Sequence, residues 1–372
     1  MATTSIREVA RHAGVSLGTV SNVLNRPENV ASSTRERVLA SIRELGFVRN
    51  ESARTLRSGR SRTVGLVVLD VANPFFTDVA RGAEDVAEEN SMVVTLCNSS
   101  EDSQREGRHL DHLERQRVQG VLITPVDGKN PRLDRLIERG IPVVLVDRGA
   151  GARNRCSAAV NDELGGRLAV SHLLEQGNRH IAFVGGPVAI QQVADRYAGA
   201  QAAIAAFTEE QSGTAASPGP PVLDLVETEA MTLKTGGVAG GRIAAMPADE
   251  RPTAAFCAND LLALGLLQEV VRQGLRVPQD IAIVGYDDID YAAAAVVPLS
   301  SVRQPRDQLG RAAAEMLFDE INGGDSHRHR QIVFEPELVV RDSSTARRRG
   351  GSTARGKRSA RKSRGTAGAR SR

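Results

Sequence analysis

The sequence has little aromatic character: no tryptophan, three tyrosines and eight phenylalanines among 372 residues. Flat stacking platforms for a ring-shaped ligand are therefore confined to a few positions. Cysteine is equally sparse. Cys97, Cys156 and Cys257 are far apart and odd in number, which excludes a disulfide framework and shows no metal-ligand spacing. They read as small buried hydrophobes in a reducing compartment, with no bound metal expected. No run of 18 apolar residues occurs, so a membrane span is not expected. The opening MATTSIREVA lacks a charged start followed by an apolar stretch, so the expected location is the cytoplasm. Signatures of catalysis are missing too. The Gly185-Gly186 pair is not a GxGxxG turn, and no P-loop or nucleophile elbow is present. Asp287 and Asp288 could supply acid–base chemistry, but adjacent side chains at a strand end point apart. No enzyme and no cofactor are expected.

Charge is present in a revealing distribution. The net charge of +3 divides into +5 over residues 1–60, −13 over 61–342 and +11 over 343–372. Both ends attract polyanions and the middle repels them. Residues 5–25, SIREVARHAGVSLGTVSNVLN, explain the first basic segment. Ile6, Val9, Ala10 and Ala13 recur at helical spacing, Gly14 marks a sharp bend, and Ser16 can cap a second helix. The inner face of that helix is Val20, Val23 and Leu24; its outer face is Thr19, Ser21, Asn22 and Asn25. A helix–turn–helix with a polar second helix suits the major groove of DNA. Capping-box patterns at Ser5–Glu8 and Ser33–Glu36 mark helix starts. A third helix over about 33–45 buries Val38, Ile42 and Leu45 before Gly46 stops it.

NESARTLRSGRSR, residues 50–62, reads as a short basic helix too weak to stand alone, one that can fold on a partner. From residue 63 buried strands alternate with helices, from TVGLVVLDV through SMVVTLCN, GVLITPV and IPVVLVDR to HIAFVGG, PVLDLVE, TAAFCAN and IAIVGYDD. Such alternation implies parallel sheets. Its two similar halves suggest two α/β lobes with a ligand cleft at the carboxyl ends of the strands. QSGTAASPGPP, 211–221, reads as a loop. The Arg/Gly/Ser/Ala-rich stretch from Ser343 reads as a disordered basic tail.

Four landmarks occur in order: VARHAGVSLGTVSNVLN, NESARTL, CANDLLALG and IAIVGYDD. On these the chain resembles the lactose-repressor (LacI/GalR) family of bacterial transcription regulators, from about Ser5 to Arg341. The resemblance implies a head over 1–48, a hinge helix over 49–62 and a two-lobed sensor, like periplasmic sugar-binding proteins, over 63–342. Lobe 1 is expected at about 63–160 and 292–322, lobe 2 at about 161–291 and 323–342, the chain crossing between them three times. The expected protein is a homodimeric repressor on a palindromic double-stranded operator, set by a small sugar-like effector.

Leu17, Gly18 and Asn22 match the family's base-reading positions. Asn22 can make a bidentate contact to adenine and Leu17 can touch a thymine methyl, whereas Gly18 offers only its backbone. Ser16, Thr19, Ser21 and Asn25, with Arg26 assisting, read as phosphate donors. Ala53 and Leu56 match positions that enter the minor groove as wedges. For the effector, the resemblance points to Arg196, Asn259 and Asp287. Asp147 at the end of its strand, and Asn73, Phe75 and Gln304, are further candidates. Asn73 reads equally as a helix cap, Phe75 as core, and Asp260 as a brace for the following helix. Stacking groups are limited to Phe75, Phe76, Tyr197 and Tyr286.

Overall fold

The computed structural model describes residues 4–47, 61–151, 154–211 and 219–345. Ala53 and Leu56, and nearly all of the basic tail, lie outside the described residues.

Three helices form the head: α1 (Ile6–Ala13), α2 (Leu17–Asn25) and α3 (Ser32–Glu44). The capping box at the start of α1 is closed, since Glu8 N donates to Ser5 Oγ and Ser5 N to Glu8 Oε2 at 2.6 Å. Gly14 ends α1 with φ +63°, a left-handed turn glycine adopts without strain. Ser16 Oγ accepts from Thr19 N at 3.1 Å and fixes the start of α2. The second expected capping box does not form. α3 starts two residues earlier than that pattern requires, after Ala31, with no side-chain cap. Val9, Ala10, Ala13, Val20, Val23 and Val38 make the core, with Ile6, Leu24, Ile42 and Leu45 packed around it. Polar ties lock the helices: His12 Nδ1 lies 3.1 Å from Ser41 Oγ, and Arg37 Nε donates to Ala13 O at 3.0 Å. So small a core leaves little margin, and these ties hold α1 against α3.

The remaining chain builds two six-stranded sheets. The first holds β1 (Thr63–Val68), β2 (Val93–Asn98), β3 (Val121–Ile123), β4 (Val143–Val146), β5 (Ser157–Val160) and β11 (Gln331–Phe334) in the order β11-β5-β4-β3-β1-β2. Every pairing is parallel. The second holds β6 (His180–Gly185), β7 (Val222–Glu227), β8 (Ala254–Cys257), β9 (Ala282–Asp287), β10 (Ser300–Arg303) and β12 (Glu337–Val339) in the order β12-β10-β9-β8-β6-β7. Here only β12 runs antiparallel. Central strands are buried along their length, as expected of parallel sheets covered on both faces.

The covering helices are α4 (Pro74–Glu89), α5 (Ser103–Arg115), α6 (Pro131–Glu138), α7 (Asp162–Glu175), α8 (Gln191–Gln211), α9 (Leu233–Ala244), α10 (Asp260–Arg272), α11 (Asp290–Ala294) and α12 (Arg306–Gly323). Close approach is enforced at glycines. A Cβ on Gly310 of α12 would strike the Val79 carbonyl of α4, and one on Gly265 of α10 the Leu233 carbonyl of α9.

Two compact units result. The first holds the described residues up to Leu164, then Val188–Asp195 and Gln304–Pro336; the second holds Gly165–Pro187, Arg196–Arg303 and the described residues from Glu337. The expected return to the first lobe at 292 is too early. β10 pairs with β9 and belongs to the second sheet, so the return begins at Gln304. It lasts to Pro336, past the expected 322, because β11 adds to the first sheet beside β5. Neither β5 nor β11 stands out in the sequence: each is four residues long, and SAAV has one β-branched residue.

The tail begins later than Ser343. Ser343 and Ser344 are buried. Ser343 Oγ donates to Ile283 O at 2.6 Å and accepts from Ser300 N at 2.8 Å. Ser344 Oγ lies 2.7 Å from His172 Nε2, and burial pushes the His172 imidazole down.

Candidate DNA-reading helix and effector-binding residues

α2 presents its outer face to solvent while Val20 and Val23 anchor it beneath. Ser16, Leu17, Gly18, Asn22 and Asn25 are exposed; Thr19 and Ser21 are half-buried. Leu17 is 46% exposed, more than a core leucine tolerates and enough to meet a thymine methyl. Local bonds hold two of the polar residues in place. Ser16 Oγ lies 2.9 Å from Thr19 Oγ1, and Asn25 Nδ2 donates to Ser21 O at 2.8 Å. The described residues of the hinge reading, Ser61 and Arg62, are tied to the first sheet's unit. Ser61 N donates to Arg117 O, and Arg62 O accepts from Val93 N at 3.0 Å.

In the first unit the effector candidates are all buried. Asn73 caps α4, its Oδ1 accepting from Phe75 N at 3.0 Å, and Phe75 packs edge-on against Phe76 in the core. Both therefore carry the structural roles that the sequence left open. Asp147 follows β4 with φ +56°, and Gln192 Nε2 donates to its backbone O at 2.6 Å and its Oδ2 at 3.1 Å. Gln304 is buried where the chain re-enters this unit.

Sequence reasoning missed Gln192, although it stands one helical turn before Arg196. It also missed Glu106, which is fully buried and accepts from Val126 N and Asn130 Nδ2, both at 2.7 Å. Burial pushes the Glu106 carboxyl up, and those hydrogen bonds oppose the push. The signal was available, because Glu106 shares the buried stripe of Leu110 and Leu113 on α5. Arg148 was likewise overlooked beside Asp147; desolvation lowers its pKa while Asp127, Asp195 and Glu106 act against that.

In the second unit the Arg196 guanidinium contacts the sequence neighbours of the other two candidates. Arg196 NH1 donates to Ala258 O at 2.7 Å, beside Asn259, and its guanidinium lies 3.6 Å over the ring of Tyr286, beside Asp287. Tyr286 is wholly buried beneath that contact, so it is not an open stacking platform; Tyr197 instead leans on Phe183. Asn259 caps α10 through Leu262 N at 2.9 Å and donates Nδ2 to Met231 O at 3.0 Å.

β9 ends in two consecutive left-handed non-glycine residues, Asp287 at φ +105° and Asp288 at φ +51°. Strain of this kind costs about 1–3 kcal/mol per residue and gathers at functional sites. Asp288 and Asp260 are held by the fold. Asp288 pairs with Arg303 Nε at 2.7 Å and Arg341 NH1 at 2.7 Å. Asp260 accepts from Ile289 N at 2.8 Å and from Ser301 Oγ at 2.6 Å, the bracing role read from sequence. Burial, then the nearby Asp287 charge, pushes the Asp260 carboxyl well up.

A capped, solvent-facing recognition helix on a three-helix core, followed by two parallel-sheet units with polar groups at their strand ends, defines a DNA-binding regulator with a sensor. The comparisons agree. Residues 5–50 match the family described as bacterial regulatory proteins, lacI family, and residues 170–344 match a periplasmic binding protein-like domain. The chain is 33% identical to the HTH-type transcriptional repressor PurR of Aliivibrio fischeri (strain MJ11), covering 91% of this chain and 98% of that protein. Among solved structures it is similar to the transcriptional regulator CelR–cellobiose complex (31% identity, TM-score 0.64, 91% of this chain and 99% of that one). It is also similar to the lac repressor dimer bound to operator and the anti-inducer ONPF (26% identity, TM-score 0.75, 93% of this chain and all of that one). The chain belongs to the lacI family of bacterial regulatory proteins. It is a ligand-responsive, DNA-binding transcriptional repressor. Among the described residues no helix is long and apolar enough to cross a membrane.

Proposed function

We propose that this protein acts in the cytoplasm as a homodimer on a near-palindromic operator, and that a small sugar-like effector sets its affinity for that DNA. The observation that carries the DNA half is the exposed face of α2, with Leu17, Gly18 and Asn22 fixed in orientation by the Ser16 cap and the Val20–Val23 anchor. Asn22 reads adenine, Leu17 meets a methyl, and Ser16, Thr19, Ser21 and Asn25 position phosphates. Ala53 and Leu56 from two subunits wedge the centre of the site.

The effector half rests on chemistry suited to hydroxyls. Within the second unit Arg196 and Asp287 offer charge-assisted hydrogen bonds and Asn259 adds an amide; within the first unit Asp147 and Gln304 are the proposed contacts, while Asn73 and Phe75 serve as helix cap and core. The similar regulator with cellobiose bound supports a sugar. Binding shifts the population of DNA-competent dimers by the effector's different affinity for the two states. The reading is of a regulator rather than an enzyme: of the Asp287–Asp288 pair that could do acid–base work, Asp288 is engaged by two arginines.

The test begins with selection of bound fragments from genomic DNA, followed by a thermal-shift screen with a sugar library. A two-fold symmetric site, together with a sugar that raises Tm and also alters operator affinity, is the expected result. Turnover of that sugar, or selection of no sequence over random DNA, contradicts the reading.

A further inference from the structure

Cys156 immediately precedes β5, and β11 pairs with β5 in the register Gln331 opposite Ser157. That register brings the segment before β11 alongside the cysteine, with Arg330 N donating to Cys156 Sγ at 3.4 Å. His327 and His329 lie two residues apart on this segment, and His327 has extended backbone. Side chains at i and i+2 of an extended chain share a side. Both imidazoles accordingly face the thiol: His327 Nε2 is 3.2 Å from Sγ and His329 Nδ1 is 3.9 Å away. Glu320, in the last turn of α12, completes the group. Its Oε2 lies 3.9 Å from His327 Nε2 and 3.8 Å from His329 Nδ1. It is shielded from solvent and makes no hydrogen bond. One ligand atom from each of the four residues lies within 4.8 Å of every other.

We propose that Cys156, Glu320, His327 and His329 form a zinc-binding site. One thiolate, two imidazoles and one carboxylate make a mixed S/N/O set that suits zinc better than magnesium or calcium, which take oxygen alone. A tetrahedral zinc with ordinary bond lengths spaces its ligand atoms about 3.3–3.6 Å apart. Four of the separations, 3.2–3.9 Å, bracket that range and all lie within 4.8 Å, so closure takes side-chain shifts of about an ångström. Hydrogen bonding is a poorer account of the cluster, since a thiol is a weak donor and the buried Glu320 Oε2 is left without one.

Four protein ligands leave no open position, which marks a structural site. The ion clips the end of α12 to the β5–β11 edge, joining residues more than 160 positions apart. None of the four is among the DNA-reading or effector residues, so this proposal and the effector reading fail independently.

The test uses full-length protein stripped with a chelator, dialysed, and titrated with zinc alone against a chromophoric indicator, then with cobalt(II). Wild type should take up one equivalent of zinc per chain. Its cobalt form should show tetrahedral d–d absorption and a thiolate-to-cobalt charge-transfer band. Cys156→Ser should abolish that band. His329→Gln, at a side chain 30% exposed and so tolerated by the fold, should lower zinc affinity at least about tenfold. His180→Gln, on the second sheet, should bind zinc as wild type does. No stoichiometric uptake by wild type, undiminished affinity in His329→Gln, or loss of the site in His180→Gln would overturn the proposal. If Cys156→Ser does not fold, the histidine variants decide.

Discussion

Asn22 on α2 and Asn259 at the head of α10 are the same residue type in opposite circumstances. Asn22 stands in solvent on a helix held from beneath by valines. Asn259 is buried, caps its own helix and donates to Met231 O. The contrast extends to the whole of each region. The head keeps its recognition groups outside its fold, whereas the second unit builds its strand ends from the same polar groups proposed for the ligand. Substitutions in the head should therefore separate binding from stability, and those at the strand ends should change both.

The comparison breaks most visibly at Asp288. Asp288→Ala takes the carboxylate partner from Arg341, which is largely buried and keeps only neutral acceptors such as Leu299 O, and from Arg303, which is half exposed and keeps Glu337. A loss of about 3 kcal/mol is expected, at the low end for a broken buried pair because of Arg303's exposure. Urea unfolding followed by far-UV circular dichroism measures it. Asn22→Ala should cost about 1–3 kcal/mol of discrimination at one base pair per half-site while leaving the urea midpoint unchanged. Asn259→Ala should do the reverse, removing about 1 kcal/mol of stability with the lost cap and blunting the effector response. A destabilised Asn22→Ala would erase the distinction.

The pH dependence sharpens the same contrast. Asp260's folded pKa lies well above its unfolded value, so its proton is held more tightly in the fold. Stability from this group is present below the unfolded pKa, near 3.8, and is lost as pH rises toward the raised folded value. Asp260→Asn should flatten that decline in a pH series of urea midpoints, with the acceptor for Ile289 N retained. The smallest effect belongs to the basic tail. Deleting 346–372 should weaken nonspecific DNA binding and lower its salt slope without touching the fold. Deleting 343–372 should also destabilise the second unit, because Ser343 and Ser344 are pinned to Ile283, Ser300 and His172.

What was legible in the sequence was local or strongly periodic. Ser5, Gly14 and Ser16 announce the bends and caps of the head within a few residues, and the apolar strands announce the sheets. Asp147 was visible because it ends an apolar strand, and Asp287 because it sits in the GYDD landmark that carries the family resemblance. What was hidden depended on register between distant segments. β5 and β11 are too short and weakly patterned to stand out, and only their pairing reveals that Cys156 meets His327 and His329. The membership of β10 in the second sheet is hidden for the same reason, since alternation says that a strand exists but not which neighbour it takes. Ser343 and Ser344 look like tail by composition. Their burial is decided by hydrogen bonds to residues about 40 and 60 positions earlier and by a histidine 172 positions away.

The most direct measurement is fluorescence anisotropy of the full-length protein on a selected operator fragment, against random competitor, at moderate salt and with increasing effector. The expected result is a preference of about a thousandfold or more for the two-fold symmetric fragment, a change in that affinity when the sugar is added, and collapse of the preference in Asn22→Ala. Equal binding to operator and competitor at every effector concentration would contradict it.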